Sequence, residues 1–454
     1  MSSKTGENRF IALLRKQVRK MLQARRSSPA YIEAKEVKPF LDAIKPFEGK
    51  VRTVSRRLLV IPSDIDAFSG ARGDDAMVTA TTESLRAAFG ALEIAAIVGS
   101  DSAAARVMAK GFTPIDTREN GTFSYSRTIA GIAEFAPDLC FVLGADVLDG
   151  YYWPASSARM LLMADAVARF GGRVSVLGFS FNSTPAPGLR PVFHSLHENV
   201  SLHLRDHLSQ ARFYQFTGIE TELVADSAFL LEPDFGGAHY PRIAAFAERA
   251  RTSSRGVIAL NLHPLLIKDI TPETLDRLTS SAARAVESVS SHRGLAWIFL
   301  PHDDRDGIGD VDCLRMIYDK LPDHLRQDVL LMSEVPQAAQ IKAIVGVADY
   351  VVAGRMHLAI ACLGREIPTM VVTYQDKFQG LFDHFGLPSE LALAPADALH
   401  PERLSAAIER LIRDKNDMRE KIASRLPQVM ALSRKNIAPL LERLGREPPE
   451  RKKT

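Results

Sequence analysis

The sequence predicts an α/β protein made of two consecutive domains, each built around a parallel sheet. Short apolar runs alternate with amphipathic segments from residue 57 onward, which is the rhythm of βα units. The alternation stops in a stretch rich in turn residues at 232–256 and then starts again. The length of 454 residues allows two or three domains at roughly 100–200 residues each.

Residues 56–240 carry the first series of strands and helices and form the predicted N-terminal domain. Its strand predictions rest on apolar runs bounded by turn residues, of which Arg57-Leu58-Leu59-Val60-Ile61-Pro62 is the first. The predicted strands cover residues 57–62, 92–98, 139–143, 174–178, 200–204 and 221–224, and the predicted helices cover residues 79–89, 157–170 and 210–217.

Residues 255–400 carry the second series and form the predicted C-terminal domain, and residues 401–454 are predicted to add C-terminal helices. The strands are again short apolar runs that follow turns. The predicted strands cover residues 257–261, 295–300, 329–332, 350–353 and 368–373, and the predicted helices cover residues 272–290, 310–321, 335–345, 356–363, 401–426 and 428–444.

Residues 1–55 form an extension whose charge differs from that of the remaining chain. Residues 1–57 hold 15 Lys and Arg against 5 Asp and Glu, whereas the net charge of the whole chain is only +3. Basic residues dominate positions 9–26, and the apolar side chains there share one helical stripe: Phe10, Leu13, Leu14, Val18, Met21 and Leu22. Such a helix either contacts an anionic membrane surface, docks on the protein body or a second subunit, or is a frayed tail.

The composition argues against several classes of protein. The basic charge is concentrated in the extension and not spread over a folded face, which argues against nucleic-acid binding. No run reaches the ~18 apolar residues of a transmembrane helix, and the N-terminus lacks the apolar core of a signal peptide. We therefore expect a cytoplasmic protein, with the inner face of the membrane as the alternative. Three distant cysteines without a CxxC pair favour neither a zinc site nor disulfides.

Polar residues that directly follow strands are the first candidates for a site, because ligands of open α/β sheets bind at the carboxyl ends of strands. Residues 70–76, Gly-Ala-Arg-Gly-Asp-Asp-Ala, follow the first strand. Glycines there either let the backbone approach an anion or form a tight turn that Asp74 or Asp75 caps. Asp146 follows another strand and either caps a helix or contacts a sugar hydroxyl.

Three further strand ends carry charged residues. Arg205 can bind a carboxylate or phosphate with its planar fork, or it can pair with Asp206 on the surface. Asp226 either caps a helix or positions substrate. His302 and Asp303 end a strand of the second domain, and no HxH or HExxH spacing accompanies them, so that no metal site is predicted.

The sharpest candidate is Gly354-Arg355-Met356-His357, where an apolar strand meets the start of a helix. The helix N-terminus supplies partial positive charge and unpaired N–H groups, which suits a dianionic phosphate. Arg355 would clamp the anion, and His357 would lie within reach for proton transfer. A single His at a helix start more often has a structural role, but its coincidence with Arg355 and a strand end favours a functional one.

Five short motifs, spread in order over residues 58–390, resemble those of the polysaccharide pyruvyl transferase family. They are Gly73-Asp74-Asp75-Ala76 for GD-x-A, Arg205-Asp206 with Ser209 for RD-x-x-S, Ala225-Asp226-Ser227-Ala228-Phe229 for ADPAF, Gly354-Arg355-Met356-His357 for GxRxH, and Tyr374-Gln375-Asp376-Lys377 for S-Y-x-x-K. Ser227 stands where the family has proline. The resemblance implies a GT-B-like fold, in which two Rossmann-like domains face each other across a cleft.

The resemblance also implies the chemistry. Pyruvate moves from phosphoenolpyruvate to a glycan or a lipid-linked sugar, a ketal forms, phosphate is released, and neither a metal nor another cofactor is required. Arg205 and Arg355 are implied to bind the donor, and His357 is implied to be the catalytic acid and base. The other expected substrate-binding residues are Asp74, Asp226, His302 and Lys377, of which Lys377 could instead be a solvated loop residue.

Two other functions remain compatible with the sequence. A GT-B-type glycosyltransferase would hold a nucleotide-sugar donor at Arg355, and it would bind UDP or GDP but not phosphoenolpyruvate. A non-catalytic glycan-assembly or membrane-surface protein would depend on its basic helix, so that loss of residues 1–28 would abolish function while substitution of Arg355 and His357 would not.

Overall fold

The chain folds around two parallel sheets, which confirms the predicted fold class. The computed structural model describes residues 25–253, 255–303, 309–373 and 377–442. It divides into a first unit of Met1–Asp66, Ala91–Glu222 and Pro439–Thr454 and a second unit of Ala67–Gly90 and Leu223–Ala438. The predicted basic helix at 9–26 lies almost entirely outside the described residues.

The first unit is built on a seven-stranded sheet. Its strands are β1 (Val54–Ile61), β2 (Glu93–Val98), β3 (Thr113–Asp116), β6 (Pro137–Val142), β7 (Arg173–Phe179), β8 (Val200–Leu204) and β9 (Glu222–Leu223), with β4 (Arg118–Glu119) and β5 (Thr122–Phe123) as a separate antiparallel pair. The order across the sheet is β3-β2-β1-β6-β7-β8-β9. β6 is buried along its whole length, and burial on both faces is why such central strands are continuous apolar runs.

Helices accompany the strands of this unit. They are Pro29–Ile32, Lys38–Ile44, Asp101–Ala109, Tyr125–Phe135, Pro154–Arg169, Leu189–Ser195 and His207–Thr217, and a short π-helical turn, Glu33–Val37, joins the first two. The buried carboxylate of Glu36 holds this N-terminal segment in place, because it pairs with Arg159 at 2.9 Å and accepts a hydrogen bond from Tyr125 Oη at 2.9 Å.

The second unit repeats the arrangement with six strands. They are β10 (Gly256–Asn261), β11 (Leu295–Phe299), β12 (Val329–Leu331), β13 (Tyr350–Ala353), β14 (Thr369–Val372) and β15 (Ala392–Leu393), in the order β12-β11-β10-β13-β14-β15. The helices are Arg72–Phe89, His239–Thr252, Pro272–His292, Asp310–Asp319, Asp323–Arg326, Ala338–Val345, Met356–Leu363, Lys377–Phe385, Pro395–Ala398, Pro401–Arg413 and Lys415–Arg434. The helix Ala438–Leu441 crosses the boundary between the units.

Most predicted elements appear within a few residues of their expected bounds, and β8, β13 and the helix Met356–Leu363 match exactly in range. The sequence patterns predict no helix or strand in residues 99–136, yet this interval holds two helices and three short strands. The turn residues of 232–256 predict a break between the domains, but this stretch includes the helix His239–Thr252. Short strands with mixed burial, such as β3, carry too weak a pattern to be recognised.

Two helix limits were wrong. The helix Arg72–Phe89 begins seven residues before the predicted position 79, because Gly73 is accommodated in its first turn. The C-terminal break falls at Asp414, and the helix Lys415–Arg434 continues through Pro427. The two units also differ from the predicted domains, since Ala67–Gly90 and the helices Pro401–Arg413 and Lys415–Arg434 belong to the second unit. In the described part of the chain no helix has both the length and the apolar character needed to span a membrane.

Candidate active site

The turn after β13 places Arg355 and His357 at the start of a helix, as the sequence predicts. Arg355 is the N-cap residue of Met356–Leu363, with extended backbone angles and without a side-chain capping bond. Gly354 precedes it because the site is tight there: an added Cβ would lie 3.0 Å from Asn261 O and 3.1 Å from His263 Cδ2. The first amides of the helix thus remain available to an acceptor other than a capping side chain.

Arg355 lies between two buried aspartates. Its Nη1 is 3.0 Å from Asp303 Oδ2, and its Nη2 is 2.6 Å from Asp310 Oδ1. The Arg355 side chain is 15% exposed, whereas those of Asp303 and Asp310 are 4% and 0% exposed. The two aspartates hold Arg355 in a fixed orientation and also offset its charge.

Asp310 is the most deeply embedded member of the group. Its Oδ2 accepts hydrogen bonds from Asn261 Nδ2 at 2.8 Å and from the His302 backbone amide at 3.0 Å. Burial alone would raise the pKa of Asp310, but Arg355 and these donors outweigh it and hold the pKa below its ordinary value. Asp310 is therefore ionised and stays a partner of Arg355.

Two buried histidines flank this group. His263 Nε2 lies 2.9 Å from Gly354 O, and His302 follows β11 with 5% of its surface exposed. Burial lowers the pKa of His263 to about 4 and that of His302 to about 3, and the positive charge of Arg355 contributes to both shifts. Both imidazoles are neutral at neutral pH, so they add no cation that could attract an anion.

These histidines predict a loss of stability in acid. Below the ordinary pKa of 6.5 the unfolded chain takes up protons that the folded chain refuses until about pH 4 for His263 and about pH 3 for His302. The free energy of unfolding should therefore fall as the pH decreases through this window, by up to about 1.4 kcal/mol per pH unit for each histidine. Urea unfolding between pH 7 and pH 4 measures this slope.

The matching control separates these histidines from the other titrating groups. His263→Gln and His302→Gln should each flatten the acid limb, whereas His324→Gln at an exposed position should leave it unchanged. An acid limb of equal slope in all three variants would contradict the prediction.

His357 faces Asp226 on one side and Gly73 on the other. Its Nε2 is 3.6 Å from Asp226 Oδ2, and its side chain is 17% exposed while that of Asp226 is 2% exposed. Among the residues that the structure describes, no group lies within hydrogen-bonding distance of His357 Nε2. His357 thus faces a buried carboxylate and keeps Nε2 without a hydrogen-bond partner among the described residues, so this nitrogen is available for proton transfer with a ligand.

Asp226 is fixed by its own turn and by the C-terminal helical segment. Its Oδ1 accepts the Ala228 amide at 2.9 Å and so caps the 3₁₀ turn Ser227–Leu230. Ser433 Oγ donates to Asp226 O at 2.7 Å, and Asn436 Nδ2 donates to Ala225 O at 2.8 Å. Asp226 thus caps this turn, as one of its two sequence alternatives predicts, and it faces His357 as well.

Gly73 lies directly under the ring of His357. A Cβ at Gly73 would come within 2.2 Å of His357 Nδ1. Gly73→Ala should displace the ring and lower kcat by about 100-fold, because an active group moved by about 1 Å costs rate on that order. Turnover of the purified variant, with circular dichroism to verify folding, measures the effect.

A second background tests the cause. In a chain that already carries His357→Ala, Gly73→Ala should stabilise the helix Arg72–Phe89 by up to about 1 kcal/mol, since alanine is the better helix former. If Gly73→Ala is neutral for turnover in the wild-type background, the ring is not held by this contact.

The start of the helix Arg72–Phe89 is held within the second unit by residues near its first turn. Arg72 donates to Pro336 O at 2.8 Å and to Val335 O at 3.0 Å, and Asp75 accepts the Ala338 amide at 3.3 Å. The N-cap is Ala71, so the expected capping by Asp74 or Asp75 is wrong. Asp74 lies half-buried in the first turn.

Two predicted substrate-binding residues, Arg205 and Lys377, are not among the contacts of Arg355 and His357 described above. Arg205 belongs to the first unit, where it is buried after β8 and donates to Ser180 Oγ at 2.7 Å. Its neighbour Asp206 caps the helix His207–Thr217 by accepting the Ser209 amide at 2.7 Å, so Asp206 is no surface partner of Arg205. Lys377 begins the helix Lys377–Phe385, and residues 374–376 of its motif lie outside the described residues.

The second unit therefore brings Arg355, His357, Asp226 and His302 into one region. Sequence reasoning missed Asp310 and His263. Asp310 appeared only as the first residue of a predicted helix, where an aspartate is ordinary, and His263 follows β10 without a recognisable motif. The strand-end rule that identified Asp303 would also have identified His263. Among the described residues, no cluster of His, Cys, Asp or Glu is arranged to hold a metal ion.

Comparison with known proteins shows which family the sequence matches and which solved structures share its fold. The model of the polysaccharide pyruvyl transferase family matches residues 72–376. No curated protein matches the chain in sequence. Many solved structures resemble it, of which three are described below, and at their low identities they show the fold alone, which is the predicted GT-B-like class of two Rossmann-like units.

The first similar structure is a UDP-GlcNAc 2-epimerase from Neisseria meningitidis bound to UDP-GlcNAc, with 9% identity, 85% of this chain and 99% of that chain covered, and a TM-score of 0.56. The second is MnaA of S. aureus with UDP, with 11% identity, 86% and 97% coverage and a TM-score of 0.54. The third is a glycosyltransferase from Rickettsia africae, with 10% identity, 88% and 100% coverage and a TM-score of 0.50.

Proposed function

The chain belongs to the polysaccharide pyruvyl transferase family, and from this premise we propose that it transfers pyruvate from phosphoenolpyruvate to a sugar and forms a ketal. The observation that carries the proposal is the group of His357, Asp226 and Arg355. His357, whose imidazole faces a buried carboxylate at 3.6 Å, and Arg355 both stand at the start of the same helix. This arrangement supports proton transfer beside a bound anion.

His357 is the proposed acid and base. In its protonated form it donates a proton to the methylene carbon of phosphoenolpyruvate, and positive charge develops at the carbon that carries the phosphate ester. A sugar hydroxyl adds to that carbon and loses its proton to the neutral imidazole. Inorganic phosphate then leaves as its C–O bond breaks, and a second hydroxyl of the same sugar adds in its place and loses its proton to the released phosphate, which closes the ketal.

Arg355 is proposed to bind the donor. A guanidinium has five N–H donors, and the contacts to Asp303 and Asp310 use three of them. The two aspartates offset much of its charge, so the remaining N–H groups and the helix amides at Met356–Leu363 would provide orientation more than net attraction. Arg205, Asp74, His302 and Lys377 remain proposed substrate-binding residues on the strength of the motifs and strand ends, and no metal or other cofactor is proposed.

The acceptor is proposed to be a glycan or a lipid-linked sugar that presents two hydroxyls able to bridge one carbon. A lipid-linked acceptor would give the basic residues 9–26 a role at an anionic membrane surface, on the cytoplasmic side where phosphoenolpyruvate is available. Vesicle sedimentation of the full chain and of a chain without residues 1–28 tests this part separately.

The experiment for the donor combines binding and turnover. Thermal unfolding with phosphoenolpyruvate, UDP and GDP should show stabilisation by phosphoenolpyruvate, because a ligand that binds only the folded state raises the melting temperature. Phosphate release from phosphoenolpyruvate should then depend on an added glycan, and mass spectrometry should find a product heavier by one pyruvate ketal. Stabilisation by a nucleotide and none by phosphoenolpyruvate would reject the proposed donor.

A further inference from the structure

Three consecutive aromatic side chains are exposed in the first unit. Tyr151, Tyr152 and Trp153, which we call the aromatic run, are 36%, 42% and 67% exposed. The run lies in the loop after β6, at the carboxyl end of a central strand, and directly before the helix Pro154–Arg169. Ligands of parallel α/β sheets bind at this edge, and exposed aromatic clusters mark contact sites.

The backbone under the aromatic run is tightly fixed. The buried carboxylate of Asp149 accepts the Tyr151 amide at 2.8 Å and the Asn182 amide at 3.1 Å, and Asp149 O accepts the Ala186 amide at 2.8 Å. Gly150 turns the chain with φ +72°, and a Cβ there would lie 2.7 Å from Ala186 Cβ. The rings are therefore held outward by a rigid turn, at little further cost in entropy when a ligand orders them.

The rings also orient one another. Tyr151 and Tyr152 pack edge to face, with centroids 5.2 Å apart and planes at 89°. Trp153 follows as the N-cap residue of the helix Pro154–Arg169, so its backbone position is set by that helix. Two phenol rings at right angles and one largely exposed indole are thus available to a ligand, each with a polar group of its own.

The loops that carry and border the aromatic run are polar and have no basic residue of their own. Residues 140–158 and 178–189, the loops after β6 and β7 and the residues next to them, contain no Lys or Arg. Asn182, Ser183 and Thr184 lie in the second loop, which the bond from the Asn182 backbone amide to Asp149 ties to the first. These loops themselves offer no cation to an anionic membrane or a nucleic acid, although Arg25 and Arg26 precede Ser27, whose O accepts the Gly188 amide at 2.7 Å. A neutral pyranose fits, because its C–H face stacks on an aromatic ring while its hydroxyls reach amide and hydroxyl groups.

We infer that the aromatic run binds a neutral sugar ring of the acceptor glycan. This inference rests on the proposed function only in treating the bound glycan as the acceptor. The binding itself can be measured without transfer of pyruvate. A lipid surface, the other source of an aromatic contact that is tested, becomes an outcome of the same measurement.

The chain offers a direct optical test, because it has two tryptophans in contrasting positions. Trp153 is 67% exposed, whereas Trp297 is 1% exposed and donates from Nε1 to Ser290 Oγ at 2.9 Å. Iodide should quench Trp153 and not Trp297, and Trp153→Phe should remove the quenchable emission. Oligosaccharides that end in galactose, glucose, mannose or an N-acetylhexosamine are then added one at a time to the full chain.

Protection of Trp153 from iodide by at least one of these oligosaccharides is the expected result. Protection by none of them overturns the inference, and so does protection only by phosphatidylglycerol–phosphatidylethanolamine vesicles. Phosphate release is measured with the same oligosaccharides. A glycan that supports phosphate release without protecting Trp153 overturns the inference and leaves the proposed function standing. Protection without phosphate release supports the inference and counts against the proposed donor chemistry.

Steady-state kinetics gives a second reading with a matched control. Trp153→Ala and Tyr152→Ala should raise the KM for the glycan by about tenfold, the size expected for the loss of one aromatic contact, and should leave the KM for phosphoenolpyruvate unchanged. Tyr214→Ala removes an aromatic side chain that is 54% exposed on the helix His207–Thr217, and it should change neither constant. Equal effects of Tyr214→Ala and Trp153→Ala would overturn the inference.

Discussion

Replacing His357 with glutamine should lower kcat for glycan-dependent phosphate release by about 10²–10⁴-fold, the range that a positioned acid and base contributes. Glutamine keeps a polar group of similar size next to Gly73 and Asp226 but cannot exchange protons near neutral pH. The ring is 17% exposed, so the substitution should leave the fold intact. Phosphate release and circular dichroism measure the two effects.

The control for this prediction is a histidine that is remote from the site. His292→Gln alters the exposed end of the helix Pro272–His292 and should leave kcat unchanged. Stabilisation by phosphoenolpyruvate should persist in His357→Gln, because donor binding is assigned to Arg355. Wild-type turnover in His357→Gln would remove this residue from the reaction. Asp226→Asn, which removes the facing charge, should give an intermediate loss.

Removing Arg355 should have the largest effect on stability. Arg355→Ala leaves Asp303 and Asp310 buried next to one another without their shared cation, and loss of one partner from a buried pair costs about 3–5 kcal/mol. Urea unfolding of the purified variant measures this loss. Arg355→Ala/Asp310→Asn should recover part of it, because one uncompensated charge is removed.

An exposed arginine supplies the comparison. Arg326 pairs with Asp323 at 3.0 Å, but the two side chains are 36% and 96% exposed. Arg326→Ala should therefore cost about 1 kcal/mol or less. If Arg355→Ala lowers the free energy of unfolding by no more than Arg326→Ala does, the aspartates do not depend on Arg355 for their charge compensation. Arg355→Lys keeps the charge without the planar fork, and in this folded variant a lost thermal shift with phosphoenolpyruvate would assign donor binding to the fork.

Much of the architecture follows from local patterns. β13 and the helix Met356–Leu363 were predicted to the residue, because an apolar run, Gly354 and a helical pattern follow each other without interruption. The same stretch identified Arg355 and His357. By contrast, the helix Tyr125–Phe135 was missed, although five of its residues are buried, because no strong strand pattern on its N-terminal side marked the alternation.

The aromatic run shows the limit of composition as an argument. The sequence contains only two tryptophans, of which Trp297 lies in an apolar run predicted as a strand, whereas Trp153 lies in no predicted element and its exposure is not predicted. Trp297 lies in a strand buried on both faces, whereas Trp153 is held outward by the Asp149 turn. Exposure depends on what packs against a residue, and distant segments of the chain determine that packing.

The sequence alone therefore determined the α/β class, the family, and the strand ends that carry Arg355, His357, Asp226 and His302, because periodicity and short motifs are local properties of the chain. Only the tertiary structure decided which side chains meet. Asp310 lies 45 residues before Arg355 and accepts its Nη2 at 2.6 Å, and Gly73 lies far upstream of His357 yet leaves room for its ring. Such partners are set by the parallel sheet, which brings the ends of non-consecutive strands to one edge.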